Sequence, residues 1–155
     1  MRNIAIYKAT LDNEEIDQLK SVLQAKDDLS KVLEFEEKMV KYIGAKYAIA
    51  TATSTAALHL ALSSMRLKRG DKVLMSVNSF VNLPETVRHF DAEPIFVDIN
   101  LEDMNLDIEK FEEAIIANKS KKLRAAIITF IGGLAPNLDK IYEIGKKYNI
   151  LIIED

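Results

Sequence analysis

The chain has 155 residues, 48% hydrophobic and 29% charged, which is enough for a packed core and too apolar for a disordered segment. Its 21 Lys and Arg against 24 Asp and Glu give a net charge of −3, spread without runs, so nucleic acid and an anionic membrane are not expected partners. The absence of cysteine excludes a disulfide framework and a thiolate metal site, two histidines are too few for a His-rich one, and no metal is expected. No apolar run is long enough to span a membrane, and the opening "MRNIAIYKAT" lacks the apolar core of a secretion signal, which makes the cytoplasm the expected location.

In chain order, Asp12 and Glu15 form a D-x-x-E capping box ahead of Ile16, Leu19 and Leu23 at helical spacing. A second helix is predicted from Ser30 through Val32, Phe35, Met39 and Tyr42, with its stop at Gly44. Five short apolar runs then read as buried strands: Tyr47 to Thr51, Lys72 to Ser76, Pro94 to Asp98, Arg124 to Phe130 and Ile150 to Asp155. Helical patterns at 55–67, 83–90, 107–117 and 138–148 separate them. Strands buried on both faces and alternating with helices predict an α/β fold of three layers, helices on either side of a mostly parallel sheet. The expected organisation is a helical segment over 1–45 followed by one structural unit over 46–155. The last strand has no helix after it, so an open sheet edge is expected to favour aggregation or a paired dimer.

Ligands of such sheets sit beyond the carboxyl ends of the strands, which directs attention to the residue after each strand. After the first comes "ATSTAAL", where the hydroxyls of Thr53, Ser54 and Thr55 meet the free amides of a helix start. That combination suits a phosphate through its N–H groups and the helix dipole, and it equally suits a plain helix cap. After the second comes "VNSF", which sets Phe80 at the same edge as either a stacking ring or a core residue. After the last comes Asp155, either an acid able to pair with a protonated ring nitrogen or a solvated carboxylate. His59 reads as a packed core histidine, His89 as a surface residue, and Gly132 with Gly133 as a turn. Asp98, Asn100, Glu102 and Asp103 make an acidic loop without the glycine and final glutamate of a calcium-binding loop.

A phosphate at a helix start, an aromatic plate and an acid aimed at a pyridinium are the parts of a pyridoxal phosphate site. The chain resembles the amino-terminal part of the DegT/DnrJ/EryC1/StrS sugar aminotransferases, which are fold-type I enzymes dependent on pyridoxal 5′-phosphate (PLP). Three segments carry the resemblance. "LEFEEKMVKYIGAKYAIATATSTAALHLAL" is similar to the family's E-F-E helix and S-G-T-A-A-L-H-L-A-L turn. "GDKVLMSVNSFVNLPETVRHFDAEPIFVDIN" is similar to G-D-E-V-I-V-P-S-F-T-F-V-A-T followed by G-A-x-P-V-F-V-D-I-D. "NLDKIYEIGKKYNILIIED" is similar to the segment ending in V-I-E-D.

The resemblance implies the incomplete large domain of a fold-type I enzyme, with Thr55 and the amide of Ala56 at the cofactor phosphate and Ser54 in place of the usual Gly. It further implies Phe80 against the cofactor ring and Asp155 on the pyridine nitrogen. The implied reaction moves an amino group from an amino acid to a keto sugar carried on a nucleotide, in a homodimer. The family's Schiff-base lysine belongs to a serine- and histidine-containing motif beyond the E-D strand, and no lysine here has that context. These 155 residues alone are therefore expected not to transaminate; the alternative is a binding or partner subunit that retains the fold without catalysis. A third reading is an unrelated doubly wound binder of phosphate ligands. Departures from the family pattern are Ser76 for Pro, Asn78 for an aromatic residue, Phe130 for His, and a shortened Gln24–Glu37 segment.

Overall fold

A computed structural model describes residues 8–25 and 29–155. The leader reading of the first seven residues, and the part of the Gln24–Glu37 segment at 26–28, lie outside the described residues. The chain falls into two compact units, Met1–Ala50 and Thr51–Asp155.

The first unit holds α1 (Asn13–Gln24) and α2 (Ser30–Ile43). The capping box forms as its sequence demands: Asp12 Oδ1 accepts from the Glu14 N–H at 2.7 Å, and Glu15 Oε2 accepts from the Asp12 N–H at 2.7 Å. Helix α2 stops at Gly44, whose φ of 74° is the left-handed conformation a side chain would disfavour. On its surface the ammonium groups of Lys38 and Lys31, both bonded to Glu34, hold that carboxyl down at about 2. The strand expected at Tyr47 to Thr51 is not one. An extended run becomes a strand by exchanging ladder hydrogen bonds with a neighbour, and no described residue supplies them. The Ala50 N–H donates instead to the Glu36 carboxylate at 2.7 Å, and Tyr47 and Ile49 stand 74% and 76% exposed.

The second unit contains α3 (Ser54–Ser64), β1 (Lys72–Ser76), α4 (Asn82–Arg88), β2 (Glu93–Val97), α5 (Ile108–Ala117), β3 (Leu123–Ile128), α6 (Leu138–Tyr148) and β4 (Leu151–Glu154). The four strands form one parallel sheet in the order β2-β1-β3-β4. Alternate residues of each strand point to opposite faces, and each face has its own core. Val73, Met75, Ala125 and Ile127 pack with Leu58 and Leu62 of α3 and Leu83 and Val87 of α4. Leu74, Ala126 and Ile128 pack with Phe111 and Ile115 of α5 and Ile141 and Ile144 of α6. Three layers result, as the alternation of buried strands and helices predicts. The strands sit within two residues of their predicted bounds, because the apolar runs continue past the last ladder bond.

One expectation about α3 is corrected. The helix buries Leu58 and Leu62, one row at four-residue spacing, while Leu60 is exposed. His59 falls off that row and is exposed rather than packed in the core, with its ring 4.7 Å from Phe90 and 6.2 Å from His89. The acidic loop after β2 spends its side chains on the backbone. Asp98, Asn100 and Asp103 accept from the N–H groups of Ile99, Glu102 and Asn105. Gly132 and Gly133 form the turn after β3, with φ of 63° and 80°.

At the opposite end of the sheet Asp71 is 2% exposed. Arg124 is the extra residue of an irregularity where β3 meets β1, and there it reaches Asp71 at 3.1 Å. Burial pushes the Asp71 carboxyl up, but the Lys68 N–H, Lys122 and Arg124 together outweigh it and hold it below its ordinary 3.8. A lowered carboxyl pKa contributes stability that is present above the unfolded value and lost as pH falls through the folded one. Asp71→Asn is therefore expected to flatten the loss of stability between about pH 5 and 2, read as urea midpoints across that range. An acid limb as steep as the wild type's would contradict this role.

Candidate functional site at the carboxyl edge of the sheet

The order β2-β1-β3-β4 has β1 between β2 and β3, so the chain leaves β1 on one side and returns on the other. The crevice beyond the carboxyl ends of β1 and β3 is thus the point where a doubly wound sheet binds ligands. Thr53, Ser54, Thr55, Phe80 and Asp155 lie at this edge.

Helix α3 begins here. Thr53 is its N-cap in extended conformation, and Thr53 Oγ1 accepts from the Ala56 N–H at 3.1 Å. The cap is therefore real, and it occupies the amide that the family resemblance directs at a phosphate. The Ser54 and Thr55 amides belong to the first turn, where helical N–H groups have no intrahelical acceptor. Thr55 Oγ1 accepts from Asn82 Nδ2 at 3.1 Å.

The turn after β1 presents Phe80. Ser76 is fully buried; its Oγ accepts from the Asn78 N–H at 3.1 Å, and its carbonyl accepts from Ser79 Oγ at 3.0 Å. Asn78 is tied outward, Nδ2 donating to the Met104 carbonyl at 3.1 Å. The bend leaves Phe80 74% exposed, so it is not a core residue of the described chain.

Asp155 follows β4 and continues its pairing with β3: its N–H donates to the Ile128 carbonyl at 2.9 Å, and its carbonyl accepts from the Phe130 N–H at 2.8 Å. Thr129 Oγ1 donates to Asp155 Oδ2 at 3.3 Å, steering the carboxylate. Strands β1 and β4 are separated by β3 alone, about 10 Å apart at ladder spacing. That separation suits a planar ligand carrying a phosphate arm. No hydrogen bond joins Thr55, Phe80 and Asp155 to one another among the described residues; the shared edge is what relates them. Sequence reading missed Asn82 and Thr129, since their partners lie 27 and 26 positions away and neither belongs to a recognisable motif.

The four-stranded parallel sheet with helices on both faces defines an α/β domain of the doubly wound kind, with hydroxyls, an exposed ring and an acid at its carboxyl edge. The chain belongs to the DegT/DnrJ/EryC1/StrS aminotransferase family, whose model matches residues 9–155. It is 36% identical over 143 residues to the uncharacterized protein MJ1066 of Methanocaldococcus jannaschii, covering 92% of this chain and 36% of that relative. It is 35% identical over 124 residues to GDP-perosamine synthase of Caulobacter vibrioides, covering 80% of this chain and 32% of that relative. Among solved structures, E. coli GDP-4-keto-6-deoxy-D-mannose-3-dehydratase with bound hydrated PLP superposes with a TM-score of 0.87 at 25% identity, covering 100% of this chain and 41% of that one. The chain thus spans between about a third and two fifths of these relatives' length. No described helix is long and apolar enough to cross a membrane.

Proposed function

We propose that these residues form the amino-terminal portion of a PLP-dependent aminotransferase that acts on a nucleotide-linked keto sugar with an amino acid as donor. The observation that carries the reading is the placement of Thr55, Phe80 and Asp155 at one carboxyl edge in a chain of this family. The names of its relatives supply the substrate class: GDP-perosamine synthase and a UDP-2-acetamido-2-deoxy-3-oxo-D-glucuronate aminotransferase both carry a nucleotide sugar in theirs.

The donor set fits the cofactor. Thr55 supplies a hydroxyl and, with Ser54, first-turn amides at the positive end of the α3 dipole, which favours a dianionic phosphate. The Thr53 cap leaves Ala56 to hold the helix start rather than the ligand, so Ser54 and Thr55 carry the amide contacts. Phe80 offers a bare ring face to a pyridine plane. Asp155, its carboxylate steered by Thr129, would hold a pyridinium N–H in the charged form. When bound, PLP supplies a pyridinium that draws electrons from the donor's α-carbon as its proton leaves. Moving that proton takes a lysine in the family motif, which residues 1–155 do not contain.

Pyridoxamine 5′-phosphate tests the reading cleanly, because as an amine it does not condense with the chain's lysines. The chain is expected to bind it well above pyridoxamine, and Thr55→Val is expected to cut that preference about tenfold, the scale of one hydrogen bond to a charged group. The same chain is expected to release no 2-oxoglutarate from glutamate in the presence of PLP and a keto sugar nucleotide. Equal affinity for the two ligands would overturn the phosphate site, and lysine-dependent turnover would overturn the division of labour.

A further inference from the structure

Asn82 opens α4, and its Nδ2 donates to Thr55 Oγ1 on α3 at 3.1 Å. A hydroxyl has one proton and two lone pairs. With a lone pair given to Asn82, the Thr55 proton is left for another acceptor, and none is found for it among the described residues. The other end of the same amide is anomalous: Asn82 Oδ1 is the one buried side-chain nitrogen or oxygen without a hydrogen-bond partner among the described residues. Turning the amide over would move the orphan from oxygen to nitrogen and would also make Asn82 the acceptor of the Thr55 proton, so a Thr55 proton left for a ligand belongs to the orientation with Nδ2 on Thr55. The fold therefore gains little from a polar group at this position, since a buried unpartnered carbonyl is a cost that an apolar side chain of the same size avoids.

We infer that Asn82 is a positioning residue for the phosphate end of the site: by occupying the acceptor side of Thr55 it aims the threonine proton at the ligand. Phosphate oxygens only accept, so a threonine hydroxyl serves them while it donates, and Asn82 is the group that fixes this polarity. The inference rests on the reading of α3 as the phosphate end. It also accounts for a side chain that costs the fold something, as residues kept for function often do.

The test uses the 155-residue chain, with pyridoxamine 5′-phosphate and pyridoxamine as ligands and thermal unfolding alongside. Asn82→Leu is expected to weaken the phosphorylated ligand about fivefold, to leave pyridoxamine unchanged, and to unfold at the wild-type temperature or higher. In a Thr55→Val background the same change is expected to have no further effect, because both substitutions act through one hydroxyl. Asn82→Asp is expected to lose more than Asn82→Leu, since a carboxylate only accepts and so takes the threonine proton for itself. Unchanged affinity in Asn82→Leu, equal losses for both ligands, additivity with Thr55→Val or a marked drop in unfolding temperature would each refute the role. A wild-type preference for the phosphorylated ligand that Asn82→Leu leaves undiminished refutes Asn82 alone. A wild type with no such preference refutes the phosphate site and this role with it.

Discussion

Asp155→Ala is expected to weaken binding of pyridoxamine 5′-phosphate about tenfold and to leave an analogue with carbon in place of the ring nitrogen unaffected. The carboxylate stands at the end of β4, its position set by backbone bonds to Ile128 and Phe130 and its orientation by Thr129. A hydrogen bond between a carboxylate and a pyridinium is charge-assisted, on the order of 1.5–3 kcal/mol. Asp155 is exposed in the described chain, so solvent screening places the expected loss at the lower end of that range. The carbon analogue has no proton to offer, which separates pairing with the ring from a general effect of charge at the edge. Equal losses for the two ligands would show that Asp155 acts on the fold or the field and not on the ring nitrogen.

Phe111→Ala has the largest expected effect on stability, a loss of about 3–5 kcal/mol. Phe111 is fully buried on α5, in the cluster formed with Leu74, Val97, Leu106, Ile115 and Ile141. Its deletion leaves a cavity between helix and sheet that parallel strands, held by ladder bonds on both sides of β1, cannot close. Set against the roughly 5–15 kcal/mol that stabilises an ordinary domain, the variant is expected to unfold at much lower urea concentration. A loss below about 1 kcal/mol would mean that this face of the sheet collapses around the gap and that Phe111 is no keystone of the core. Phe35, exposed on α2, makes the contrasting case: Phe35→Ala is expected to change stability by no more than about 0.5 kcal/mol.

The parts of this molecule legible in its sequence are those fixed by local chemistry or by burial on two sides. The capping box at Asp12, the stop at Gly44 and the strand at Lys72–Ser76 follow from residues a few positions apart. The parallel sheet follows from apolar runs too short for helices and too continuous for a half-exposed strand. Tyr47 to Thr51 has the same apolar character, yet it has no ladder partner among the described residues, and composition alone cannot supply one. His59 was misplaced for a related reason: the apolar sequence of α3 permits burial all round, whereas the described sheet covers one row of it. At the site, Thr55, Phe80 and Asp155 are visible because each lies within the few residues that follow a strand or open a helix. Asn82 and Thr129 were not, because their roles consist of one hydrogen bond each to a residue distant in the chain. The bond from the Ala56 amide to Thr53 is likewise a matter of geometry that the residue types alone do not fix.

The most direct measurement is a map of amide chemical shifts on the isotopically labelled chain as pyridoxamine 5′-phosphate is added. The account predicts saturable changes confined to the start of α3 at Ser54 and Thr55, the turn carrying Phe80 to Asn82, and Thr129 with Asp155. Changes scattered over the lysine-bearing surface, or centred on the other end of the sheet around Asp71 and Arg124, would contradict it.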